Sequence, residues 1–549
     1  MNTTVFKAEK SFFIIILLWF VFILLPIGQR GLWTPDEPRY LQVAWEMDHS
    51  DNSIIPQING GPYMHKPPLF FWLTILMSKI VPFEIASRSV SALVSLGTLL
   101  LTFFAGRKYF SASVGFLGAL ILMTSNLYLQ LMYTGNIDTL LTFLTTLSLY
   151  AFWEGQKENR SHLFMASYVA CGLGILAKGP VALLIPWITF MAWTAFRILK
   201  GEKPSFQHLL WGPAVSLAVV LAWLLPAGIV GGKAYLYEIL IRQNAGRAIN
   251  SFAHQKPWYY MLINFPVLIL PWTFLIPVGL KNYRPTSNRH TYANAFHTIW
   301  FFVVLIFFSL ISGKRGRYLL PLFPSFSILL AASLDRMDRG KMTSALYYVT
   351  LGVVYAALAV VILFPFGLPW FAKLFDVLSI FSAHQRSFQL VMLATLFLPL
   401  GVIAFVITLL QVKKHSSYGS CYGFAAGILL MAGVGHLYYI PAIDYMKSAS
   451  HVASQILEQT APGNRIAFYE QRLDHGWNFY LNQSHIPIIA PSELEAGHSP
   501  YEIVICKSKN MSADSTLTRL FGERGYRPFL FEPMGYHEYL IFRKKGGSS

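Results

Sequence analysis

Long apolar stretches separated by short polar loops run along most of the chain. A helix that crosses a membrane needs about 20 mostly apolar residues, and about thirteen stretches are long enough to predict such a span. They lie near residues 11–28, 84–106, 112–133, 137–153, 162–177, 179–196, 208–230, 258–280, 293–311, 318–334, 343–364, 387–411 and 420–440. The pattern therefore predicts an α-helical polytopic membrane domain over residues 1–440.

The segment 441–549 has a different pattern. Short strand-like runs at 465–469, 503–506 and 539–542 accompany a helical stretch near 515–525. Such alternation predicts a small soluble α/β domain. The segment contains no motif of a catalytic type, so acceptor docking and plain stabilisation both remain open as its role.

Composition and charge support a membrane protein and exclude a nucleic-acid partner. Of the 549 residues, 54% are hydrophobic and only 13% are charged, while the formal net charge is +17. The basic residues lie in short loops between apolar stretches, which fits the positive-inside rule better than a nucleic-acid surface. With the N-terminus inside, the first outer loop and the segment 441–549 are predicted to lie on the outer side of the membrane. The three cysteines do not form a disulfide framework, since Cys171 and Cys421 lie in predicted spans.

The first outer loop carries two adjacent acids, Asp36 and Glu37, before a predicted short interfacial helix at 39–47. Asp36 either caps that helix or performs chemistry. A carboxylate beside a membrane can hold a metal ion, act as a general base or face positive charge that develops at a sugar carbon.

The same loop ends in a second polar group. Lys66 precedes two prolines, which start a helix and direct the ammonium outward. With Tyr63 and His65 beside it, Lys66 is predicted to bind a phosphate, the alternative being interaction with lipid headgroups. His65 is either a metal ligand or an ordinary hydrogen-bonding group.

Further charged residues are predicted on the same side of the membrane. Asp138 begins the fourth span, as either a helix cap or a functional group, and Lys178 lies at a tight turn. Arg317 and Tyr318 follow two other cations in the loop at 312–318, and Arg247 belongs to the outer cluster at 242–260. Because an arginine forks around phosphate oxygens, these loops predict a site for an anionic lipid headgroup.

Together these motifs resemble the bacterial lipid A aminoarabinose transferases. The motifs are the leading Asp-Glu, the Tyr-x-x-Lys-Pro from Tyr63, the Asp at the start of the fourth span, the Lys-Gly at 178–179, the His-x-x-Pro-Trp-Tyr-Tyr from His254 and the Arg-Tyr-Leu-Leu-Pro from Arg317. They occur in the family's order over about 440 residues, and the broader class includes the protein O-mannosyltransferases.

The resemblance implies a GT-C type membrane glycosyltransferase with a small periplasmic α/β domain. It implies transfer of a sugar, 4-amino-4-deoxy-L-arabinose or a related one, from undecaprenyl phosphate to lipid A, another glycan or a protein, with inversion at the sugar carbon. Matched by motif, Asp36, Glu37 and Asp138 correspond to catalytic acids. The residues matched to donor binding are Tyr40, Tyr63, Lys66, Lys178, Arg247, Arg317 and Tyr318.

One position departs from the family and two other functions compete. His65 stands where the aminoarabinose transferases have a glutamate, so a divalent metal ion at this position stays open, as does the identity of the sugar. The motif His-Lys-Pro-Pro-Leu fits a protein O-mannosyltransferase-like enzyme at least as well. Outside enzymes, a polyprenyl-lipid transporter or binding protein would also have many spans, but a transporter would place its charges near the bilayer midplane.

Overall fold

A computed structural model of the chain describes residues 8–33, 36–158, 160–246, 255–283, 291–336, 352, 417–444, 447–460, 464–471, 476–495, 500–508, 515–534 and 537–545. The chain divides into two compact units. The first comprises Met1–Ile27, Met64–Phe70 and Arg88–Tyr438, and the second comprises Gly28–Tyr63, Phe71–Ser87 and Tyr439–Ser549. The second unit therefore combines the C-terminal segment with the predicted first outer loop, and the boundary predicted at residue 440 stays a prediction.

Helices make up most of the described chain. In chain order, the α-helices are α1 (Ala8–Trp19), α2 (Glu37–Asp48), α3 (Leu69–Ser78), α4 (Phe83–Tyr109), α5 (Ala112–Thr124), α6 (Asn126–Met132), α7 (Ile137–Glu158), α8 (Ser161–Lys178), α9 (Val181–Leu199), α10 (His208–Tyr237), α11 (Tyr260–Leu268), α12 (Ile276–Asn282), α13 (Thr291–Leu310), α14 (Phe323–Asp335), α15 (Ser417–Val434), α16 (Ile440–Ala442), α17 (Ser450–Glu458), α18 (Trp477–Tyr480), α19 (Pro491–Glu495) and α20 (Ser515–Glu523). Short 3-10 or π segments extend several of them, as at Phe20–Leu24, Leu25–Gly28, Glu238–Gly246, Trp272–Leu275, Gly316–Leu322 and Gly435–Tyr439.

The predicted polytopic membrane protein is confirmed. In the described part of the chain, eight helical segments are long and apolar enough to cross a membrane: Glu9–Gly28, Phe83–Tyr109, Ser161–Lys178, Val181–Leu199, His208–Arg242, Thr291–Leu310, Gly316–Asp335 and Gly419–Ala442. Two further pairs are bent, α5 with α6 by 72° and Trp272–Asn282 against α11 by 102°. The predicted span at 137–153 forms the helix α7 but is less apolar than these segments. The spans predicted at 343–364 and 387–411 lie outside the described residues.

Within the first unit, α7 packs against α8, and α8 packs against α9 and α10. The turn between α8 and α9 consists of Gly179 and Pro180. Gly179 has a φ of +112°, a conformation that residues with a Cβ rarely adopt. Its amide donates to the carbonyl of Ile175 at 2.9 Å, which closes the last turn of α8 immediately after Lys178. Gly179 therefore ends α8 and makes Lys178 its last residue.

The second unit contains a five-stranded sheet with the strand order β4-β3-β5-β7-β6. The strands are β3 (Ile466–Tyr469), β4 (Ile488–Ile489), β5 (Ile503–Ser508), β6 (Tyr526–Met534) and β7 (His537–Lys544). Strand β3 runs parallel to β4 and β5, whereas β7 is antiparallel to β5 and β6. The predicted small C-terminal sheet domain is confirmed.

Both faces of this sheet are buried. Because side chains alternate along a strand, Phe468 and Ile505 face one apolar cluster together with α17, while Ala467 and Val504 face a second cluster together with α20. Two covered faces explain why 503–506 reads as a continuous apolar run instead of an alternating one. A separate hairpin of β1 (Gln57–Ile58) and β2 (Gly61–Pro62) belongs to the same unit.

Candidate functional site

In the first unit, several predicted site residues meet around the carboxylate of Asp138. Lys178 Nζ donates a hydrogen bond to Asp138 Oδ1, and Arg317 Nη1 lies 3.8 Å from Asp138 Oδ2. The ammonium of Lys178 also lies 4.4 Å from the centroid of the Tyr318 ring, and Lys66 acts electrostatically on the same carboxylate. Four elements that are distant in the sequence thus bring three cations and one acid together.

Local sequence explains why the Asp138 carboxylate is available to these cations. The helix α7 is capped by Asn136, whose Oδ1 accepts from the amide of Thr139 at 3.0 Å. Asn136 is held in turn by Ser91, whose hydroxyl accepts from the Asn136 amide at 3.0 Å. Of the two roles predicted for Asp138, capping therefore falls to Asn136, and the Asp138 side chain, which is only 8% exposed, pairs with Lys178.

The loop that carries Arg317 contacts the segment that begins at Gln255 and also forms a hydrogen bond within itself. Gln255 and Gly313 form an antiparallel bridge, and the amide of Lys256 donates to the carbonyl of Ser312 at 3.4 Å. Lys314 is buried and its ammonium donates to the carbonyl of Ile311, and burial lowers the pKa of this lysine. The two outer loops that the sequence predicts to carry cations are therefore in direct contact.

In the second unit, Asp36 immediately precedes α2 but does not cap it. Its side chain makes no capping hydrogen bond, and its carboxylate instead accepts from Arg39 one turn later. Asp36 is 5% exposed, whereas the side chain of Arg39 retains 25% exposure. The alternative that Asp36 serves as the cap of this helix is therefore wrong, and Arg39 is a partner that the sequence motif did not single out.

Glu37 forms an ion pair with Arg30, whose side chain is more deeply buried than that of Arg39. Its Oε2 accepts from Arg30 Nη1 at 2.6 Å and from the amide of Trp33 at 3.2 Å, while the Arg30 guanidinium lies 4.9 Å from the Trp33 ring. The side chains of both Glu37 and Arg30 are at most 5% exposed. This geometry is that of a buried structural ion pair, so the catalytic role predicted for Glu37 gains no support from its contacts and stays a prediction.

Tyr40 and Tyr63 lie on either side of one phenylalanine. Their ring centroids are 6.1 and 6.0 Å from that of Phe71, and both tyrosines are buried. The amide of Tyr63 donates to the carbonyl of Pro56 at 2.7 Å. The donor-binding role predicted for these tyrosines is untested.

Residues near the C-terminus hold the segment around Asp36, a function that the sequence pattern did not reveal. The Asp444 carboxylate accepts from the Gly31 amide at 3.0 Å and from Trp33 Nε1 at 2.5 Å. The Tyr480 hydroxyl accepts from the Leu32 amide at 2.8 Å and donates to Glu84 at 2.5 Å. Burial, followed by the charge of Glu84, raises the pKa of Tyr480, so this hydroxyl keeps its proton. These contacts span more than 390 positions, so no local motif could have predicted them.

The predictions for Arg247 and His65 remain untested. Arg247 lies outside the described residues, so its predicted place in the phosphate clamp is untested. His65 is exposed, and within the described ranges no three His, Cys, Asp or Glu side chains are grouped as metal ligands. The metal contact predicted at His65 stays a prediction.

The chain is similar to known proteins in sequence and in fold. The family described as dolichyl-phosphate-mannose-protein mannosyltransferase matches residues 65–225. The chain is 29% identical over 336 residues to undecaprenyl phosphate-alpha-4-amino-4-deoxy-L-arabinose arabinosyl transferase 2 of Pseudomonas fluorescens, covering 58% of this chain and 59% of that protein. It is 27% identical to the corresponding transferase of Enterobacter sp. over 66% of both chains. The chain thus spans about three fifths to two thirds of the length of these relatives.

Among solved structures, ArnT from Cupriavidus metallidurans bound to undecaprenyl phosphate superposes with a TM-score of 0.76 at 19% identity, covering 97% of both chains. The predicted resemblance to the aminoarabinose transferases is confirmed. At this identity the structural likeness concerns the fold alone. The matched family segment, 65–225, contains Lys66, Asp138 and Lys178. Three of the residues that form the cluster thus lie in the part of the chain that the family description covers.

Proposed function

We propose that the protein is an integral membrane glycosyltransferase of the bacterial inner membrane. It transfers 4-amino-4-deoxy-L-arabinose, or a related sugar, from undecaprenyl phosphate to lipid A or another periplasmic acceptor. The names of the most similar curated proteins support this donor and sugar. The observation that carries the proposal is the cluster of Lys66, Lys178 and Arg317 around Asp138, because a leaving phosphate requires such a group of cations.

In the proposed reaction, an acceptor oxygen attacks the anomeric carbon of the sugar. The bond between that carbon and the phosphate oxygen breaks, and undecaprenyl phosphate leaves with the electron pair. Each preorganised donor at such a leaving group typically contributes a few kcal/mol of transition-state stabilisation. Lys66, Lys178 and Arg317 supply donors of this kind, and the Asp138 carboxylate holds Lys178 in place.

The fate of the acceptor proton depends on the acceptor. A phosphate of lipid A is already anionic, so its attack requires no base, and Asp36 then positions the acceptor or balances charge. A hydroxyl acceptor must lose a proton, and Asp36 then acts as the general base. Direct attack in a single displacement inverts the configuration at the sugar carbon. A product that retains the anomeric configuration of the donor would contradict this part of the proposal.

The test is reconstitution of the purified protein with lipid A and undecaprenyl phosphate-linked aminoarabinose. We expect the mass of lipid A to increase by one aminopentose residue, and we expect Asp36→Asn and Lys178→Met to abolish most of this product. Release of donor across the vesicle membrane without a covalent product would instead support a transporter. A binding protein would retain the donor and would form no product even in the parent protein.

A second enzymatic function also has support in the family match at residues 65–225, whose description names a protein mannosyltransferase. The same vesicles should therefore be supplied with a polyprenyl phosphate-linked mannose and a serine-rich peptide. Glycosylated peptide without modified lipid A would assign the protein to that function.

A further inference from the structure

A polar cavity lies in the first unit, at the end of α7 that is distant from Asp138. Its volume is about 490 Å³, and its lining includes Lys108, Tyr109, Lys157, Trp193, Arg197 and Tyr292. Because a helix rises about 1.5 Å per residue, Lys157 lies roughly 28 Å along α7 from Asp138. The cavity is therefore separate from the proposed site of sugar transfer.

Two ammonium groups approach the same aromatic ring in this cavity. Lys108 Nζ and Lys157 Nζ lie 5.9 and 5.3 Å from the centroid of Tyr109. Lys108 is balanced by Glu154 at 2.6 Å and by Glu158 at 3.6 Å. Lys157 is exposed, and among the residues that the structure describes it pairs with no carboxylate. One cation of the cavity is thus available to an anionic ligand.

The wall of the cavity is aromatic. Trp193 is 2% exposed, and its indole Nε1 finds no hydrogen-bond partner among the described residues. Buried polar groups are normally satisfied by protein or by another molecule. Tyr109 and Trp153 stack with ring centroids 3.7 Å apart and give this wall a rigid aromatic surface. Because the Nε1 atom itself has almost no accessible surface, this wall offers an apolar face, not a donor, to a ligand beside the exposed ammonium of Lys157.

The opposite side of the cavity is preorganised by Arg197. Its Nε donates to Glu202 at 2.7 Å, its Nη2 lies 2.6 Å from the same carboxylate, and its Nη1 donates to Gln156 at 2.8 Å. The three surrounding segments, 107–111, 154–160 and 197–203, carry seven cations against three carboxylates. The rim therefore attracts anions, and the positive-inside rule predicts that it faces the cytoplasm.

We propose that this cavity binds the phosphate ester of an anionic glycerophospholipid headgroup. The phosphate oxygens accept from the ammonium of Lys157, while the aromatic wall packs against the glycerol. A soluble phosphate ester has the same chemistry, so the experiment must separate the two sources.

Native mass spectrometry of the purified protein with phosphatidylglycerol tests the proposal, with phosphatidylcholine as the zwitterionic comparison. We expect Lys157→Ala to weaken phosphatidylglycerol retention about tenfold, which corresponds to one charge-assisted hydrogen bond. Lys203→Ala is the matched control, because it removes one exposed charge from the same rim and does not line the cavity.

Equal losses in Lys157→Ala and Lys203→Ala would overturn the proposal, since they would show only diffuse attraction to basic loops. Equal retention of phosphatidylcholine and phosphatidylglycerol would overturn it as well. Addition of sn-glycerol 3-phosphate separates the two sources. If this soluble ester displaces phosphatidylglycerol at comparable concentrations, the site is assigned to a soluble phosphate ester. If it does not displace phosphatidylglycerol, the site is assigned to the lipid. Lys157 is exposed, so loss of folding does not obscure its result.

Discussion

The ion pair of Lys178 and Asp138 allows a quantitative prediction for the variant Lys178→Met. The substitution removes the ammonium and leaves the Asp138 carboxylate, whose side chain is only 8% exposed, without its hydrogen-bonded partner. Removing one member of a buried ion pair typically costs about 3–5 kcal/mol of unfolding free energy. Arg317 remains 3.8 Å from the carboxylate and, at an effective dielectric constant of about 20, attracts it by about 4 kcal/mol.

Because Arg317 still attracts the carboxylate, we expect the loss of unfolding free energy to lie at the lower end of this range, at about 3 kcal/mol. The assay is equilibrium unfolding in mixed detergent micelles, in which the midpoint and slope give the free energy of unfolding. Lys79→Met is the matched control, because Lys79 lies 2.9 Å from Asp48 in an ion pair whose lysine side chain is 59% exposed. An exposed pair of this kind contributes about 0–1 kcal/mol, so the control should differ little from the parent protein.

A third variant completes the comparison. Adding Asp138→Asn to Lys178→Met removes the buried charge together with its attraction to Arg317, so we expect the double variant to recover part of the lost stability. Neither variant should transfer sugar, because the proposed leaving-group cation is absent from both. If Lys178→Met and Lys79→Met are equally destabilising, or if Asp138→Asn brings no recovery, the reasoning from burial is refuted.

Three other predictions concern separate parts of the chain. Glu37→Gln should destabilise the protein by about 3 kcal/mol because it breaks the buried pair with Arg30, whereas Asp36→Asn should mainly abolish transfer. Thermal unfolding and product formation are measured on both variants. Equal losses of stability in the two variants would contradict the assignment. Tyr480→Phe should cost about 1–3 kcal/mol, because it leaves the Leu32 amide and Glu84 without their hydroxyl partner, while Tyr259→Phe at an exposed ring should leave unfolding unchanged. The Tyr292 hydroxyl and then Arg197 hold the pKa of Glu202 below its ordinary value, so the stability that Glu202 contributes is present above that value and is lost as the pH falls through the lowered pKa. Unfolding of Glu202→Gln and the parent protein measured against pH should converge in acid, and a constant difference would contradict this sign.

The sequence predicted the elements whose signal is local. Apolar runs marked the helices because a span requires about 20 such residues in succession. The strands β3, β5 and β7 were visible as short runs rich in Ile, Val, Phe and Tyr. The short helix after Asp36 was also predicted, although α2 begins at Glu37 and ends at Asp48.

Pairings between distant residues were only partly predictable. The positive-inside rule placed Asp138, Lys178 and Arg317 on one side of the membrane, but it cannot specify a hydrogen bond between 138 and 178. The sequence could not show whether Asp138 caps α7, because Asn136, two residues earlier, is also a good cap residue. The hydrogen bond from the Thr139 amide to the Asn136 side-chain oxygen identifies Asn136 as the cap. The contacts of Asp444 and Tyr480 have no sequence signal, because an isolated acid or tyrosine carries no periodic pattern.

The bond between Asp444 and Gly31 has a consequence for biosynthesis. These residues are 413 positions apart, so the ribosome must add more than four hundred residues after Gly31 before its partner exists. At about 5–20 residues per second, the segment that carries Asp36 waits between about 20 and 80 s for the carboxylate that fixes it. A nascent chain, or one released early by a premature stop codon, would therefore be inserted in the bilayer and yet lack the finished acid-bearing loop, so activity should begin only after translation is complete.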